Sequence, residues 1–329
     1  MRRPFAVLVP FACLLAGSWL WAADDAENPV YTDPAAAGID YAIQGEYVGE
    51  VPHEEGPKPI GVQVVALGNG KFRSVAYLGG LPGEGWMGGE RPQTDGELIG
   101  DTARFVSEHA TGEIRGGVVT VTTNDGRKLA ELKRVERESP TLGMAPPAGA
   151  VVLFDGTSAE AFEGGRISDD GLLMPGVTSK QAFQSCTVHL EFRTPFQPTA
   201  AGQARGNSGC YLQGRYEVQM LDSFGLEGLD NECGGIYSIK KPDVNMCFPP
   251  LAWQTYDIDY TAASFDAAGA KTANARMTVR HNGVLIHDNV ELPHATTAAP
   301  VAEGPDPGPL YLQDHGNPVR YRNVWVLEK

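Results

Sequence analysis

One short segment in the C-terminal half places ionisable side chains in alternation with apolar ones. In residues 186–193, His189, Glu191 and Arg193 alternate with three large apolar residues. Successive side chains of a β-strand point to opposite faces of the sheet, so the segment predicts a strand with a polar outer face. An imidazole beside a carboxylate can transfer protons. The alternative is a solvated face with a cross-strand ion pair.

A second polar strand face is predicted within residues 206–223, which have the pattern of two strands joined by a turn at Gly214-Arg215. Glu217 and Gln219 fall on one face of the second strand, and Tyr211 lies on the first strand. Carboxylate and amide groups beside aromatic rings suit sugars, which combine hydroxyls with apolar ring faces. Polar residues on the outside of an ordinary sandwich would give the same pattern.

His315 lies in a predicted turn, residues 314–318, between two C-terminal strands. An exposed imidazole titrates near neutral pH, and Gln313, Arg322 and Asn323 are close to it in the sequence. A single histidine in a turn is usually only solvated. These neighbours therefore make His315 a candidate functional residue without assigning it a role.

Several function classes lack their sequence signatures. The chain has no Gly-x-Ser-x-Gly, no Gly-x-x-x-x-Gly-Lys and no His-Glu-x-x-His motif, so serine hydrolysis, P-loop nucleotide binding and zinc-peptidase chemistry have no support. The 329 residues carry 41 acidic against 26 basic side chains, a net charge of −15. Such a charge does not attract nucleic acid or an anionic membrane surface, so we expect neither as a partner.

The N-terminal residues have the pattern of a secretory signal peptide. Arg2 and Arg3 precede an apolar run over residues 4–21, and Ala22-Ala23 supplies small residues for cleavage. We therefore expect a signal over about residues 1–22 and a periplasmic or secreted protein; a membrane anchor is the alternative. No later segment reaches the ~18 consecutive apolar residues that a span requires, so we expect no membrane span after signal removal.

Export would place the remaining cysteines in an oxidising compartment, which favours disulfides. Removal of the signal takes away Cys13 and leaves Cys186, Cys210, Cys233 and Cys247. The pair closest in sequence, Cys233 and Cys247, brackets a loop and is the candidate disulfide. A zinc site is the alternative, although there is no Cys-x-x-Cys. Four buried free thiols are the remaining alternative.

Strand and turn signals divide the chain into two β-rich units. Residues 23–40 have the composition of a flexible leader. Residues 41–135 predict a small all-β domain whose role the sequence does not indicate, with a hairpin turn at Gly68-Asn69-Gly70. Residues 136–149 have the composition of a linker. Residues 150–329 contain many short strands between Gly, Pro and Asn turns, which favours a β-sandwich or jelly roll.

Six motifs of the second unit occur in the order found in a known family. They are Leu153-Phe-Asp-Gly-Thr157, His189-Leu-Glu-Phe-Arg193, the stretch from Asn207 to Asp222, Gly234-Gly-Ile-Tyr237, Trp253-Gln-Thr-Tyr-Asp257, and Leu312-Gln-Asp-His-Gly316 followed by Tyr321-Arg-Asn323. With these motifs, residues from about 150 to the C-terminus resemble the 3-keto-disaccharide hydrolase domain family, formerly a domain of unknown function. The resemblance implies a concanavalin-like β-sandwich that acts on 3-keto-glycosides.

The implied reaction is a β-elimination. A ketone at C3 acidifies the proton at C2, so a base can remove that proton while the C1 oxygen leaves; water then adds, or the unsaturated sugar is released as a lyase product. The reaction needs a base, an acid and donors for the enolate oxygen, whereas an ordinary glycosidase needs two carboxylates about 5–10 Å apart. A non-catalytic carbohydrate-binding module and a cell-surface β-sandwich protein are the alternatives.

The resemblance also suggests roles for individual residues. His315 or Glu191 would form the proton-transfer pair, with Glu217 as a second carboxylate candidate. The substrate-binding candidates comprise polar groups for sugar hydroxyls or the enolate and aromatic rings for the sugar face. They are Arg193, Asn207, Gln219, Gln313, Arg322 and Asn323 for the polar groups, and Tyr211, Tyr237 and Trp253 for the rings. Trp253 is equally compatible with the sandwich core.

No cofactor is required by this chemistry. Asp222 and Asp257 are candidates for a structural calcium ion, although their spacing is too loose to define a site. The expected substrate is an oligosaccharide or glycoside. A sugar 3-oxidoreductase is the expected upstream partner, because it would introduce the ketone.

Overall fold

The structure, a computed structural model, describes residues 28–329. The predicted signal peptide, residues 1–22, lies outside the described residues, as do the first residues of the predicted leader. Within residues 28–329, no helix is long and apolar enough to cross a membrane.

The N-terminal unit is a closed β-barrel. A 3₁₀ helix (Pro34–Ala36) and a short helix α1 (Gly38–Ile43) precede it. Its strands are β1 (Gly45–Val51), β2 (Lys58–Gly68), β3 (Lys71–Leu78), β4 (Leu81–Pro82), β5 (Gly85–Trp86), β6 (Gln93–Ile99), β7 (Thr102–Val106), β8 (Ala110–Arg115), β9 (Val118–Thr123) and β10 (Lys128–Val135). Eight of them close in the order β1-β10-β9-β8-β7-β6-β3-β2, and β4 and β5 form a separate pair.

Sequence alternation and turn chemistry explain the barrel. The hairpin predicted at residues 68–70 joins β2 to β3. Asn69 and Gly70 both have positive φ, 54° and 69°, as a type I′ turn requires. Inward residues such as Val64, Phe72 and Leu132 form the buried barrel core.

The C-terminal unit is a two-sheet sandwich. Its strands are β11 (Val151–Phe154), β12 (Phe162–Glu163), β13 (Val177–Phe183), β14 (Cys186–Arg193), β15 (Ser208–Leu212), β16 (Tyr216–Met220), β17 (Gln254–Thr261), β18 (Ser264–Phe265), β19 (Lys271–Ala273), β20 (Ala275–His281), β21 (Val284–Leu292), β22 (Gly308–Leu312) and β23 (Arg320–Glu328). One sheet has six strands in the order β11-β23-β14-β17-β20-β21, and the other has five in the order β12-β13-β22-β15-β16. The predicted all-β class is confirmed.

The core between the two sheets is formed by the apolar halves of alternating strands. Leu190 and Phe192 of β14 meet Val218 and Met220 of β16 in one buried cluster. Their polar neighbours therefore face away from the core, and each sheet has its own polar outer face. Glu191 belongs to the outer face of the six-stranded sheet and Glu217 to that of the five-stranded sheet.

The leader is more ordered than its composition predicts. Tyr31 forms a backbone bridge with Phe196, and their rings stack with centroids 5.8 Å apart. Asp40 of α1 accepts a hydrogen bond from the backbone of Gly70, 3.1 Å away. Residues 28–40 are thus fixed against both units, because their backbone and aromatic groups find partners that composition alone does not reveal.

The predicted linker, residues 136–149, lies along the outer face of the six-stranded sheet. The Ser139 hydroxyl is 2.6 Å from that of Thr255. The Gly143 amide donates to Glu191 over 2.6 Å, and the Met144 carbonyl accepts from the Asn323 side chain over 3.0 Å. The segment has no regular structure, yet the backbone groups of Gly143 and Met144 are bonded by side chains of the sheet.

A buried ion pair joins this segment to the barrel. The Arg137 guanidinium donates to both carboxyl oxygens of Glu46, over 2.5 and 2.7 Å. Both side chains are buried. Gln63 donates to the same carboxylate over 2.9 Å, and Arg137 lies 4.9 Å from the centre of the Phe248 ring of the sandwich.

The predicted disulfide between Cys233 and Cys247 is not formed. Both residues are buried free thiols, as are Cys186 and Cys210. The sulfur of Cys233 lies 3.3 Å from the Tyr256 hydroxyl, and that of Cys247 faces the Leu221 carbonyl oxygen over 3.5 Å. In this structure these thiols therefore act as small buried core groups with weak polar contacts.

Removing the cation of the buried pair should destabilise the fold. In Arg137→Met, Glu46 keeps its burial and loses its charge partner, so we expect the free energy of unfolding to fall by about 3–5 kcal/mol. Urea denaturation measures this loss. Arg104→Met is the matched control, because the Arg104–Glu113 pair is exposed with 3.6 Å between the charged groups; its loss should be below ~1 kcal/mol. Equal losses in the two variants would contradict this account.

Candidate active site

Glu217 is the central residue of the polar face on the five-stranded sheet. The β15–β16 hairpin places it directly opposite Tyr211 and places Gln219 opposite Gly209. The turn between these strands has positive φ at Gln213 and Gly214, 55° and 64°. The predicted hairpin is therefore confirmed, with its tight turn one residue earlier than the sequence suggested.

A glycine makes room for the Glu217 carboxyl group. A Cβ atom at Gly209 would overlap the Glu217 carboxyl oxygen. The carboxyl group therefore lies across the backbone of the neighbouring strand, close to the sheet, instead of extending into solvent. The Glu217 side chain is 2% exposed.

Burial changes the protonation of Glu217. Removal from water raises its pKa to about 7, and a hydrogen bond from the Tyr211 hydroxyl partly opposes this rise. When the Gln219 amide nitrogen is turned toward it, Gln219 donates over 2.8 Å to Glu217 and over the same distance to the Ser208 carbonyl. A carboxyl group with a pKa near neutral can both accept and release a proton at physiological pH.

Polar groups surround this carboxyl group. Gln313 donates to the Tyr211 hydroxyl over 3.2 Å, so Gln313, Tyr211 and Glu217 form one chain of hydrogen bonds. The backbone amide of Tyr237 donates to the Glu217 carbonyl over 3.2 Å. The Asn207 side chain donates to the backbone carbonyl of Gln203 over 2.8 Å. Of the residues predicted from sequence for substrate binding, Tyr211 and Gln219 thus contact the Glu217 carboxyl group and Gln313 is linked to it through Tyr211. Tyr237 contacts only the Glu217 backbone, and Asn207 is bonded to Gln203.

Sequence reasoning missed three residues beside this group. Tyr311 on β22 pairs with Tyr211, with ring centroids 5.4 Å apart. Gln313 directly follows β22, and its spacing of two from Tyr311 could have indicated that both lie on one face. Gln203 lies in a 3₁₀ helix, Gly202–Ala204. The side-chain oxygen of Asn317 accepts from the backbone amide of Asn207 over 2.6 Å. Neither of these two positions carries a periodic signal.

His315 lies exposed in the turn after β22, two residues beyond Gln313. Among residues 28–329 it forms no hydrogen bond, so nothing pairs it with either carboxylate. The predicted His315–Glu191 pair is not assembled, because Glu191 lies on the outer face of the other sheet.

Glu191 is held by a complete set of donors. It is 1% exposed and accepts from Arg322 over 2.6 Å and from Asn323 over 2.8 Å, in addition to Gly143. Burial opposes its ionisation, but hydrogen bonds from His189, Asn323, Arg322 and Gly143 outweigh burial and lower its pKa to about 2. Such a carboxylate is permanently charged at neutral pH and is a poor base.

His189 completes this second cluster. Its Nδ1 lies 2.6 Å from the Asp257 carboxylate, and its ring stacks on Trp325 with centroids 5.3 Å apart. Burial lowers the His189 pKa, but hydrogen bonds to Asp257 and Glu191 prevail and raise it. The predicted ion-pair face therefore exists but is covered by residues 136–149, so it is a buried contact surface and not a solvated one.

The remaining predicted residues of this face are also engaged by protein groups. The Arg322 guanidinium lies 4.0 Å from the Trp253 ring centre, and that of Arg193 lies 5.1 Å away. Trp253 therefore packs between two guanidinium groups on the six-stranded sheet. It belongs neither to the sandwich core nor to the group around Glu217.

The two aspartates considered for calcium do not come together. Asp222 pairs with Arg205 over 2.7 Å, and Asp257 contacts His189 and accepts from Thr141 over 2.7 Å. Across residues 28–329, no group of three or more His, Cys, Asp or Glu side chains is arranged to hold a metal ion.

A family model described as the 3-keto-alpha-glucoside-1,2-lyase-like domain matches residues 149–327, more than half of the chain. The chain belongs to this family. The match spans the whole sandwich and both polar faces described above, and confirms the resemblance predicted from the six motifs.

One solved structure agrees with this assignment. The chain is similar to a protein from Parabacteroides distasonis provisionally described as a glycosyl hydrolase, with 32% identity over 56% of this chain and 85% of the other, at a TM-score of 0.51. Two further proteins of that organism, with the same description, match at 17% and 19% identity. They cover 55% of this chain and 94% and 99% of their own, with TM-scores of 0.41 and 0.38. Comparison with curated proteins gives no match.

The lyase-like domain is thus a carbohydrate-active protein with two chemically different carboxylates. Glu191 is charged, fully paired and covered. Glu217 is buried without a cation and titrates near neutral pH. Of the two, only Glu217 has the protonation behaviour that a general base or acid requires.

Neutralising Glu217 should stabilise the lyase-like domain in a pH-dependent way. Its pKa is about 7 in the folded protein and about 4.5 when unfolded. Between these pH values the unfolded chain ionises more readily, so the free energy of unfolding falls as pH rises. Glu217→Gln, which stays neutral, should gain on the order of 2–3 kcal/mol in unfolding free energy at pH 8 and little at pH 4. Thermal unfolding at both pH values tests this.

Glu191→Gln is the contrasting variant, because the Glu191 charge is paired and its pKa is lowered. It should lose stability at neutral pH and lose less below pH 3. The same sign for both variants at pH 8 would refute the assignment of opposite environments.

Proposed function

We propose that this protein cleaves 3-keto-glycosides by β-elimination and that Glu217 transfers the C2 proton. The family assignment supports the substrate class. The observation that carries the proposal is the buried Glu217 carboxyl group, whose pKa is raised to about 7 by burial with no cation against it.

The proposed reaction uses the acidity that the C3 ketone gives to C2. The Glu217 carboxylate removes the C2 proton, and the bonding electrons form an enolate. As the enolate collapses, the C1–O bond breaks and the departing oxygen takes a proton. The products are an alcohol and a sugar with a C1=C2 double bond conjugated to the ketone. A base with a pKa near the working pH is the most effective for such a proton transfer.

The neighbours of Glu217 suit its orientation and the binding of a sugar. Tyr211, held by Gln313, hydrogen-bonds to the carboxylate and can fix the direction of its lone pairs. The half-buried rings of Tyr237 and Tyr311 offer apolar surfaces, and the amides of Gln203 and Gln313 offer donors and acceptors for hydroxyls. His315, exposed in the turn after β22 and two residues beyond Gln313, is the proposed acid for the departing oxygen.

Other parts of the proposal concern the cellular setting. A signal over about residues 1–22 would export the protein to the periplasm or the medium. The substrate must already carry a ketone, so an enzyme that oxidises sugars at C3 is the proposed upstream partner. Addition of water to the unsaturated sugar would give net hydrolysis, whereas its release would make the protein a lyase; NMR of the first-formed product distinguishes the two.

Glu217→Gln should reduce kcat/KM for a 3-keto-disaccharide by about 10²–10⁴-fold, because general base catalysis contributes that much. Consumption of the keto sugar, followed by NMR, is the measurement. Glu191→Gln, assayed per folded molecule, should retain kcat, and the unoxidised disaccharide should not react. Full activity in Glu217→Gln would exclude its role, and tight binding without any turnover in the wild type would favour a binding module.

The pH dependence of kcat/KM should report Glu217. If Glu217 acts as the base, kcat/KM rises tenfold per pH unit below about pH 7 and levels off above it, because the carboxyl group must be ionised. A pH–rate series in overlapping buffers measures this. A profile that falls as pH rises through 7 would instead require the protonated carboxyl group.

A further inference from the structure

Among residues 28–329, side chains plug one end of the barrel and line a cavity at the other. At the end nearer the sandwich, Ile43 of α1 joins the barrel core together with Phe196 and Leu251 from the C-terminal unit. The Gln44 side chain accepts from the backbone of Ala66 near the end of β2, over 3.0 Å. The lumen is therefore plugged at this end by side chains from outside the barrel.

The other end contains a cavity of about 210 Å³. Ile60 near the start of β2, Ala110 at the start of β8 and Val51 at the end of β1 line it, which places it opposite α1. Protein cores seldom leave gaps much larger than a water molecule. A closed barrel of eight strands has an interior of the size that side chains just fill or that holds one small ligand.

The lining is almost entirely apolar. Its few hydroxyls include Ser74, which donates to the Thr94 carbonyl over 3.1 Å, and Ser107, which donates to the Ala110 carbonyl over 2.9 Å. Both serine donors are thus used by the protein. No charged side chain is among the described residues that line the cavity, so a charged ligand would have no partner there.

We propose that the barrel lumen binds a small, uncharged, apolar molecule with the dimensions of a short alkyl chain or a single aromatic ring. An apolar cavity of ~150 Å³ is enough to bind benzene, so this lumen holds a somewhat larger group. The family match begins at residue 149, so the site lies outside it and is independent of the chemistry at Glu217.

Gly112 and Ala76 provide positions at which to fill the lumen. Both line the cavity. The nearest atom to a Cβ built at Gly112 is the Phe105 Cβ, 3.9 Å away, so a larger side chain can enter without a backbone clash. Thr111, adjacent to Gly112 on β8, points to the other face of the strand and serves as the matched control position.

Calorimetric titration of the full chain with 1-alkanols of four to ten carbons tests the proposal. Affinity should rise about fourfold per added methylene and level off when the lumen is full. Gly112→Leu and Ala76→Phe should each weaken binding at least tenfold, whereas Thr111→Leu should bind like the wild type. If either Gly112→Leu or Ala76→Phe does not fold, the alkanol affinity of the other variant tests the proposal.

Absence of binding up to the solubility of the alkanols, or unchanged affinity in a folded filling variant, would overturn the proposal. Turnover of a 3-keto-disaccharide by the same samples keeps the two proposals separate. Gly112→Leu should retain full turnover while losing alkanol binding, and failure of turnover in the wild type would leave the alkanol result unaffected.

Discussion

A carboxylate that is removed from water must gain donors or keep its proton. Three buried glutamates of this chain satisfy that constraint differently. Glu46 faces the Arg137 guanidinium, which ties the barrel to the following segment. Glu191 collects four donors and stays ionised. Glu217 has hydroxyl and amide neighbours but no cation among the described residues. Its pKa is therefore raised to about 7, and it gains and loses a proton near neutral pH. The first two contact the segment that follows the barrel, and the third is the group proposed above to transfer the proton.

This difference follows from the two outer faces of the sandwich. Alternating strands produce a polar face on each sheet, and the two faces differ in the groups that surround their carboxylates. Residues 136–149 cover the face that carries Glu191, so its arginine and tryptophan side chains pack against the chain itself. The face that carries Glu217 has half-buried tyrosines and amides near a single carboxyl group, which suits the sugar binding proposed above.

Much of this arrangement could be predicted from sequence, because period-two alternation is local. It predicted the inward residues of β14 and β16, the hairpin between β15 and β16, and the all-β class, and six motifs indicated the family. Alternation does not reveal which sheet a strand joins, so Glu191 and Glu217 looked equivalent, and His315 was paired with a carboxylate that lies on the other sheet. The glycine- and proline-containing segment after Val135 looked like a simple linker, because its partners are distant side chains. Cysteine spacing predicted a disulfide between Cys233 and Cys247, which are buried free thiols in the structure.

The contact between Gly143 and Glu191 has a consequence for what constitutes a domain in this protein. Homology begins at residue 149, but the sandwich draws hydrogen bonds from Ser139, Thr141, Gly143 and Met144. The segment that matches the family is therefore shorter than the segment whose residues contact the sandwich. A fragment that begins at residue 149 would expose His189 and Glu191 to solvent, whereas both are buried in the intact chain. In this protein the boundary of the family match lies inside a network of hydrogen bonds.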